Sequence, residues 1–276
     1  MNRLTIEERA QIVGLLVEGN SLRSITRLTG KSINTVTKLL VDVGTACAIY
    51  QNETLRNLNC KRIQADEIWS FCYSKEKNVA PENHGVLGYG DVYTWTALDP
   101  DTKLMVSFLV GRRDYAYAEA FVDDLAGRLA NRIQLSTDGN KAYLNTVEKA
   151  FGGLIDFAQI VKIFNHSNES DGQRRYSPAK YISSEKQIIS GKPDMAKAST
   201  SHVERQNLTM RMGMRRFTRL TNGFSKKIYN LQCAVALHFM HYNFGRIHKT
   251  LRVTPAMEAG ISDHVWSLEE IAGLAN

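Results

Sequence analysis

The apolar residues between positions 62 and 164 change their spacing in an order that restricts the possible folds. Segments with alternating or β-branched residues come first and are predicted as three antiparallel strands. Helical spacing and short apolar runs then alternate, which predicts helices between further strands. In order, the predicted elements are strands at 62–73, 93–98 and 103–110, a helix at 116–129, a strand at 132–137, a helix at 141–151 and a strand at 160–164. The order predicts an α/β fold in which a mixed five-stranded sheet carries helices on both faces.

The first fifty residues have a different pattern, with three runs of helical spacing. Thr5 and Glu8 have the spacing of a capping box, Ser21 and Ser32 are candidate N-caps, and Gly30 separates the second helix from the third. Two short helices joined by a tight turn that contains glycine are typical of a helix-turn-helix. The chain is therefore predicted to have an all-α helix-turn-helix domain at 1–50, a linker at 51–60, an α/β domain at 61–260 and a C-terminal tail at 261–276.

The third predicted helix presents polar and basic side chains on the face opposite its apolar residues. In a major groove such side chains would contact bases and phosphates. They are Lys31, Asn34, Thr35 and Lys38. An ordinary three-helix packing unit would have the same periodicity, but the absence of acid on this face before Asp42 favours DNA binding. The formal charge of +7 and the pI near 9.2 also indicate a polyanionic partner.

The N-terminal sequence indicates the cellular compartment, and the spacing of the cysteines indicates whether a zinc site is expected. Acidic residues occupy the N-terminal positions where a signal peptide carries basic ones, and no apolar run approaches about 18 residues. A cytoplasmic protein with no membrane partner is therefore predicted. The cysteines Cys47, Cys60, Cys72 and Cys233 are widely spaced and form no C-x-x-C pair, so no zinc site is expected.

Two carboxylates lie within a predicted strand or at its end, where they could line a catalytic site at an edge of the sheet. Asp66 lies within the first predicted strand among apolar neighbours, where an acid needs a partner or a function. Strand alternation points Glu67 to the opposite face, so Asp66 is the member of the pair predicted to line a site. Asp138 ends a short apolar strand and precedes Gly139. A plain Asp-Gly turn and a catalytic carboxylate explain Asp138 equally well on local pattern.

A third carboxylate, Glu204, has two competing interpretations. Ser201-x-x-Glu204 has the spacing of a capping box, in which the glutamate would bond to a backbone amide at the helix start. Together with Asp66 and Asp138, Glu204 could instead bind two Mg²⁺ or Mn²⁺ ions, which prefer oxygen ligands and support in-line phosphoryl transfer.

The region around and after Glu204 is strongly basic. From Arg205 to Arg252 the sequence has ten basic residues and no acid, and the predicted DNA contacts come from this region. They are Arg205, Asn207, Arg211, Arg215, Arg216, Arg219, Lys226 and Lys227. Asn207 lies one helical turn from Glu204 and could orient either DNA or a carboxylate. Residues 165–200 lack periodicity and are predicted as an inserted loop.

Three blocks of the sequence resemble those of the DDE transposases of the insertion sequence 1 type. They are QADEIWSF at 64–71, STDGNKAY at 136–143 and HVERQNLTMR at 202–211. Further agreement lies in the motif that contains Tyr242, Asn243 and His248, and in Thr254-Pro255-Ala256. The resemblance covers nearly all of residues 60–260.

This resemblance implies a ribonuclease H-like catalytic domain in which Asp66, Asp138 and Glu204 hold divalent metal. It implies an enzyme that binds the terminal inverted repeats of a transposon, cleaves the ends and joins the 3′-hydroxyls to target DNA. The N-terminal helices would bind the repeats, and a homodimer or larger homo-oligomer would bridge the ends. A helix-turn-helix regulator, or a nuclease of the same fold without strand transfer, is the alternative.

Overall fold

A computed structural model describes residues 4–164, 181–218 and 221–275 of the chain. Nine α-helices and six strands lie within these ranges. The helices are α1 (Ile6–Val17), α2 (Leu22–Thr29), α3 (Ile33–Thr54), α4 (Tyr115–Ala126), α5 (Ala142–Phe151), α6 (Ser201–Gly213), α7 (Ile228–Met240), α8 (Pro255–Glu258) and α9 (Leu268–Gly273). The strands are β1 (Arg62–Cys72), β2 (Gly90–Leu98), β3 (Met105–Gly111), β4 (Gln134–Asp138), β5 (Asp156–Phe164) and β6 (Tyr181–Ser190).

The six strands form one mixed sheet in the order β3-β2-β1-β4-β5-β6. Strands β1, β2 and β3 pair antiparallel, whereas β4 pairs parallel with both β1 and β5. The parallel pairs follow from the connections, because α4 lies between β3 and β4 and α5 lies between β4 and β5. This arrangement confirms the predicted mixed α/β fold.

The sheet has one strand more than the five predicted. Strand β6 lies within 165–200, the segment predicted as an irregular insertion, and pairs antiparallel with β5. It was missed because its side chains are almost all exposed, so no face of the strand carries a buried apolar stripe. The other residues of that segment up to position 180 lie outside the described residues.

The N-terminal helices share one hydrophobic core with the sheet. The three predicted helices are present, with capping hydroxyls from Thr5, Ser21 and Ser32. The third continues to Thr54, into the stretch predicted as a linker, because its second half packs along α7. The glycine at position 44 allows this close approach.

The C-terminal segment also belongs to this core. Ile271 and Ala272 of α9 are buried, and α9 packs against α1. Among the described residues, none of the helices is both long and apolar enough to span a bilayer.

Candidate active site

Strands β1 and β4 bring Asp66 and Asp138 side by side. The parallel register pairs Ala65 with Thr137, and the two aspartates are the next residues on their strands. Asp138 ends β4, where its carboxylate accepts a hydrogen bond from the backbone N–H of Asn140 at 3.0 Å. The Asp-Gly bend expected from the sequence is therefore present, and it places Asp138 beside Asp66.

Glu67 joins these two carboxylates, contrary to the expectation that strand alternation would separate it from Asp66. One ligand atom from each of Asp66, Glu67 and Asp138 lies within 4.8 Å of the others. Alternation separates neighbouring side chains in the middle of a sheet. Here β4 ends beside the pair, so the carboxylate of Asp138 can approach side chains from both faces. We call these three residues the carboxylate cluster.

Neighbouring side chains hold the two carboxylates of β1 in place. The amide Nδ2 of Asn207 on α6 donates to Oδ2 of Asp66 at 2.8 Å. On the other side, Glu67 accepts from Nε of Arg113 and from Nδ2 of Asn140, each at 3.1 Å. Asp66 thus depends on α6 for its orientation, and Glu67 depends on the residues that precede α4 and α5.

Burial raises the pKa of every acid in the carboxylate cluster, and neighbouring negative charge adds to each rise. For Asp66 the pKa rises to about 7, first because the carboxyl is buried and then because Asp138 and Glu67 are negative. Burial followed by the charge of Asp138 raises the pKa of Glu67. Burial also raises the pKa of Asp138, against the opposing effects of Asn140, Arg113 and Lys162. The cluster therefore has more negative charge than its surroundings neutralise.

Glu204 lies close enough for its charge to act on both aspartates, but it stands apart from the carboxylate cluster. It accepts a hydrogen bond from the hydroxyl of Thr200 at 2.5 Å and forms an ion pair with Lys162 of β5 at 2.5 Å. Its negative charge raises the pKa of Asp66 and of Asp138.

The predicted capping box between Ser201 and Glu204 is not formed. The N-cap of α6 is Thr200 rather than Ser201, so Glu204 lies one position too far along the helix to reach back to the cap. Its carboxylate is instead engaged by Thr200 and Lys162.

The cap of α6 comes from another element. Oε1 of Gln64 accepts the backbone N–H groups of His202 and Val203, at 2.9 and 3.2 Å. Gln64 is 3% exposed and lies two residues before Asp66 on β1. The same strand therefore carries one carboxylate and fixes the start of the helix that carries Glu204.

The donor set of the carboxylate cluster fits a hard divalent cation. Every candidate ligand atom is a carboxylate oxygen, which Mg²⁺ and Mn²⁺ prefer. After burial, neighbouring negative charge adds to the rise in these pKa values, and a bound cation would offset that part. The cluster can hold such an ion between β1 and β4, and the charge of Glu204 acts on two of its three carboxylates.

Three of the four predicted DNA-contacting residues lie in the first two turns of α3, and Lys31 lies just before its N-cap. Asn34 and Lys38 are exposed. Two of the four are engaged within the protein, since Lys31 pairs with Glu8 and Lys38 pairs with Asp42, each at 2.5 Å. DNA would have to compete with these ion pairs for the two lysines.

The cations predicted after Glu204 lie in two places. Arg205 lines a groove beside α6, together with Lys103, His202 and Arg246. Arg215, Arg216, Lys226 and Lys227 line a separate cleft beside the N-terminal helices. Arg211 lies between them in sequence, in the last turn of α6. Arg219 lies outside the described residues.

Four residues of the site were not predicted from the sequence as part of it. They are Glu67, Arg113, Asn140 and Lys162. The Asp66-Glu67 pair was a visible signal for the first of these. The other three are single polar residues in separate segments, and only the pairing of strands β3, β2, β1, β4 and β5 in one sheet brings them together.

Comparison with known proteins finds no matching family model and no matching curated protein. Solved structures that are similar to this chain include a piggyBac transposase synaptic complex with hairpin DNA, at 11% identity and a TM-score of 0.44, over 99% of this chain and 71% of that one. A Mos1 transposase paired-end complex with the left transposon end is 11% identical over 57% of this chain and 60% of that one, with a TM-score of 0.25. A Mos1 strand transfer complex is 11% identical over 88% and 78%, also with a TM-score of 0.25. The activity of this chain is therefore inferred from its own residues.

Proposed function

We propose that the chain is a divalent-metal-dependent DDE transposase of the insertion sequence 1 type. It would bind the terminal inverted repeats of its element, hydrolyse a phosphodiester bond at each end and join the 3′-hydroxyls to target DNA. The fold expected for such an enzyme is ribonuclease H-like, with the three antiparallel strands and the two parallel strands seen here. A homodimer or larger homo-oligomer would hold the two ends together.

The observation that carries this proposal is the carboxylate cluster. Half-buried carboxylates with raised pKa values are costly for stability, and a cluster of them at the end of a strand is typical of a site rather than of a packed core. The sequence blocks that suggested a transposase contain Asp66, Asp138 and Glu204, and each of these residues lies in or beside the cluster.

The residues of the site have distinct proposed roles. Asp66, Asp138 and Glu204 are the proposed metal ligands, and Glu67 is an additional candidate. A divalent cation held there would supply the positive charge that activates the attacking oxygen and stabilises the leaving one. Asn207 keeps Asp66 oriented, and Lys162 balances the charge of Glu204. The basic residues that flank the site would hold the DNA backbone.

A cleavage and joining assay tests the proposal. Labelled duplexes with the inverted repeats that bracket the gene would be incubated with the full chain and Mg²⁺ or Mn²⁺. We expect nicks at the repeat ends followed by joining to a target duplex. Asp66→Asn, Asp138→Asn and Glu204→Gln should each lower the rate by at least about a hundredfold, whereas Asp123→Asn, an exposed acid on α4, should leave it unchanged.

The alternative functions give different results in the same assay. Specific binding to the repeats without cleavage in either metal would indicate a DNA-binding regulator and would overturn the enzyme. Cleavage without joining, with ends supplied in pairs, would indicate a nuclease without strand transfer. Full activity of Glu204→Gln would remove Glu204 from the ligand set while leaving the carboxylate cluster in it.

A further inference from the structure

A cationic cleft lies between the N-terminal helices and the segment that follows α6. Its volume is about 810 Å³. Residues 20–23 at the start of α2, with Ile33 and Thr37 of α3, form one wall, and residues 215–216 and 222–227 form the other. Five of its described lining residues are cationic and none is acidic. The five are Arg23, Arg215, Arg216, Lys226 and Lys227.

Two polar side-chain atoms are buried at this cleft without a partner among the described residues. One is Oγ of Ser225, a residue that is only 4% exposed, and the other is Nε of Arg216. Burial lowers the pKa of Arg216, and the groups that act on its charge are the thiols of Cys72 and Cys233 rather than a carboxylate. Buried polar atoms usually have a partner, and a half-buried guanidinium with no carboxylate beside it among the described residues favours an anionic ligand.

The floor of the cleft is attached to the strand that carries Asp66. The ammonium of Lys226 lies 3.6 Å from the ring centroid of Phe224, and that ring lies 4.7 Å from the ring of Phe71 on β1. The backbone N–H of Tyr73, the residue after β1, donates to the carbonyl of Ser225 at 2.8 Å. The cleft and the carboxylate cluster are therefore both attached to β1.

The length of β1 sets the separation between the two sites. Asp66 and Cys72, which bridges to Ser225, are six positions apart on the strand. At the rise of an extended strand this corresponds to about 20 Å. Duplex DNA rises about 3.4 Å per base pair, so the same distance corresponds to about six base pairs.

We propose that this cleft binds the phosphate backbone of the duplex whose end enters the carboxylate cluster of the same protomer. The inference rests on the proposed function and deepens it. Arg216 contacts phosphate, and Arg23, Lys226 and Lys227 neutralise the neighbouring phosphates. The contacts lie about six base pairs from the bond that reacts. Because α2 and α3 form one wall, a duplex held here also lies against the N-terminal helices.

Fluorescence anisotropy on the full chain, with a labelled duplex in EDTA and over a series of salt concentrations, tests the cleft without any catalysis. Arg216→Ala and the double variant Lys226→Ala with Lys227→Ala should each bind about tenfold more weakly, and the salt slope should fall by about one per contact removed. Lys149→Ala, which removes an exposed cation of α5, should bind as the wild type does. The exposed lysine pair keeps the test decisive if Arg216→Ala folds poorly.

Failure of the cleft and failure of the proposed enzyme are distinguishable. The binding measurement is made in EDTA, so its result does not depend on whether the protein cleaves DNA. Cleft variants that match Lys149→Ala in both affinity and salt slope would contradict DNA binding at the cleft. The proposed enzymatic activity would not be affected by that result. If the cleft variants lose affinity but the wild type never cleaves DNA, the result would support DNA binding at the cleft. The same result would contradict the proposed transposase activity.

Crosslinking tests the position of the duplex. All four native cysteines are buried, so Asn222→Cys introduces an exposed thiol at the cleft for a photoactivated crosslinker. We expect crosslinks to the backbone about six base pairs from the duplex end. Glu148→Cys on α5 is the matched control and should give none. Equal crosslinking from both positions, or none from Asn222→Cys, would overturn the placement.

Discussion

Asp66 makes the metal-free protein sensitive to pH. Because its pKa is raised from 3.8 to about 7, the folded protein keeps a proton that the unfolded chain loses as pH rises. The ionised carboxylate therefore costs stability that is absent below the unfolded pKa and complete above pH 7.

We expect Asp66→Asn to stabilise the metal-free protein by about 2 kcal/mol at pH 8 and to have little effect at pH 4. The asparagine keeps an acceptor for Asn207, so that hydrogen bond survives. Thermal unfolding in EDTA at both pH values measures the difference. Excess Mg²⁺ at pH 8 should make the wild type more stable than Asp66→Asn, because only the wild type has all of its carboxylates to bind the ion. A variant less stable than the wild type in EDTA at pH 8 would contradict the repulsion argument.

Substitutions of Asn207, which lies on α6 and bonds to Asp66, also test the negative charge of the carboxylate cluster. Asn207→Asp places a further carboxylate within hydrogen-bonding distance of Asp66, and we expect a loss of about 1 to 3 kcal/mol above pH 7 in EDTA. Because a bound cation would offset that repulsion, millimolar Mg²⁺ should restore much of the loss. Asn207→Leu is the uncharged control, and Mg²⁺ should not rescue it selectively. The readout is the shift in unfolding midpoint on adding Mg²⁺.

At the scale of elements, the junction between β1 and α6 depends on Gln64. Its side chain accepts two backbone N–H groups of the first turn of α6, which has no side-chain cap of its own. Gln64→Leu leaves both groups buried without an acceptor.

We expect Gln64→Leu to cost about 2 kcal/mol of folding free energy and to weaken metal binding, because Glu204 is carried by the same turn. Chemical denaturation gives the first quantity, and isothermal titration with Mn²⁺ gives the second. Gln11→Leu, an exposed glutamine on α1, is the control. If Gln64→Leu is destabilised but binds metal with unchanged affinity, capping of α6 by Gln64 does not contribute to metal binding.

At the scale of the whole molecule, α3 joins the N-terminal helices to the half that contains the sheet through its contact with α7. A Cβ at Gly44 would lie closer to the backbone of Cys233 than real Cβ atoms approach, so the two helices would have to move apart. The two halves therefore share one core rather than meeting through a flexible linker.

We expect Gly44→Ala to destabilise the whole protein by about 1 to 3 kcal/mol in a single cooperative transition. Gly127→Ala, where a Cβ would meet only ordinary contacts, should be neutral or slightly stabilising. Circular dichroism at a helix band and tryptophan fluorescence should report the same midpoint. Two separate transitions in Gly44→Ala would show that the halves fold independently.

The sequence by itself determined the elements and two carboxylates of the cluster. Alternation and helical spacing are local properties, so β1 to β5 and the helices that connect them were predictable with their order. Asp66 and Asp138 were predictable because an acid in an apolar strand, or at the end of one, is unusual enough to need a reason.

Tertiary structure alone decided which side chains share the site. The inclusion of Glu67 depends on where β4 ends beside β1. The partners of Glu204 depend on the N-cap of α6 being Thr200. The start of this helix is held by Gln64, which lies on a strand far away in sequence. Exposed β6 had no apolar face to reveal it. In each case the determining contact is between residues far apart in sequence, and local periodicity contains no information about such contacts.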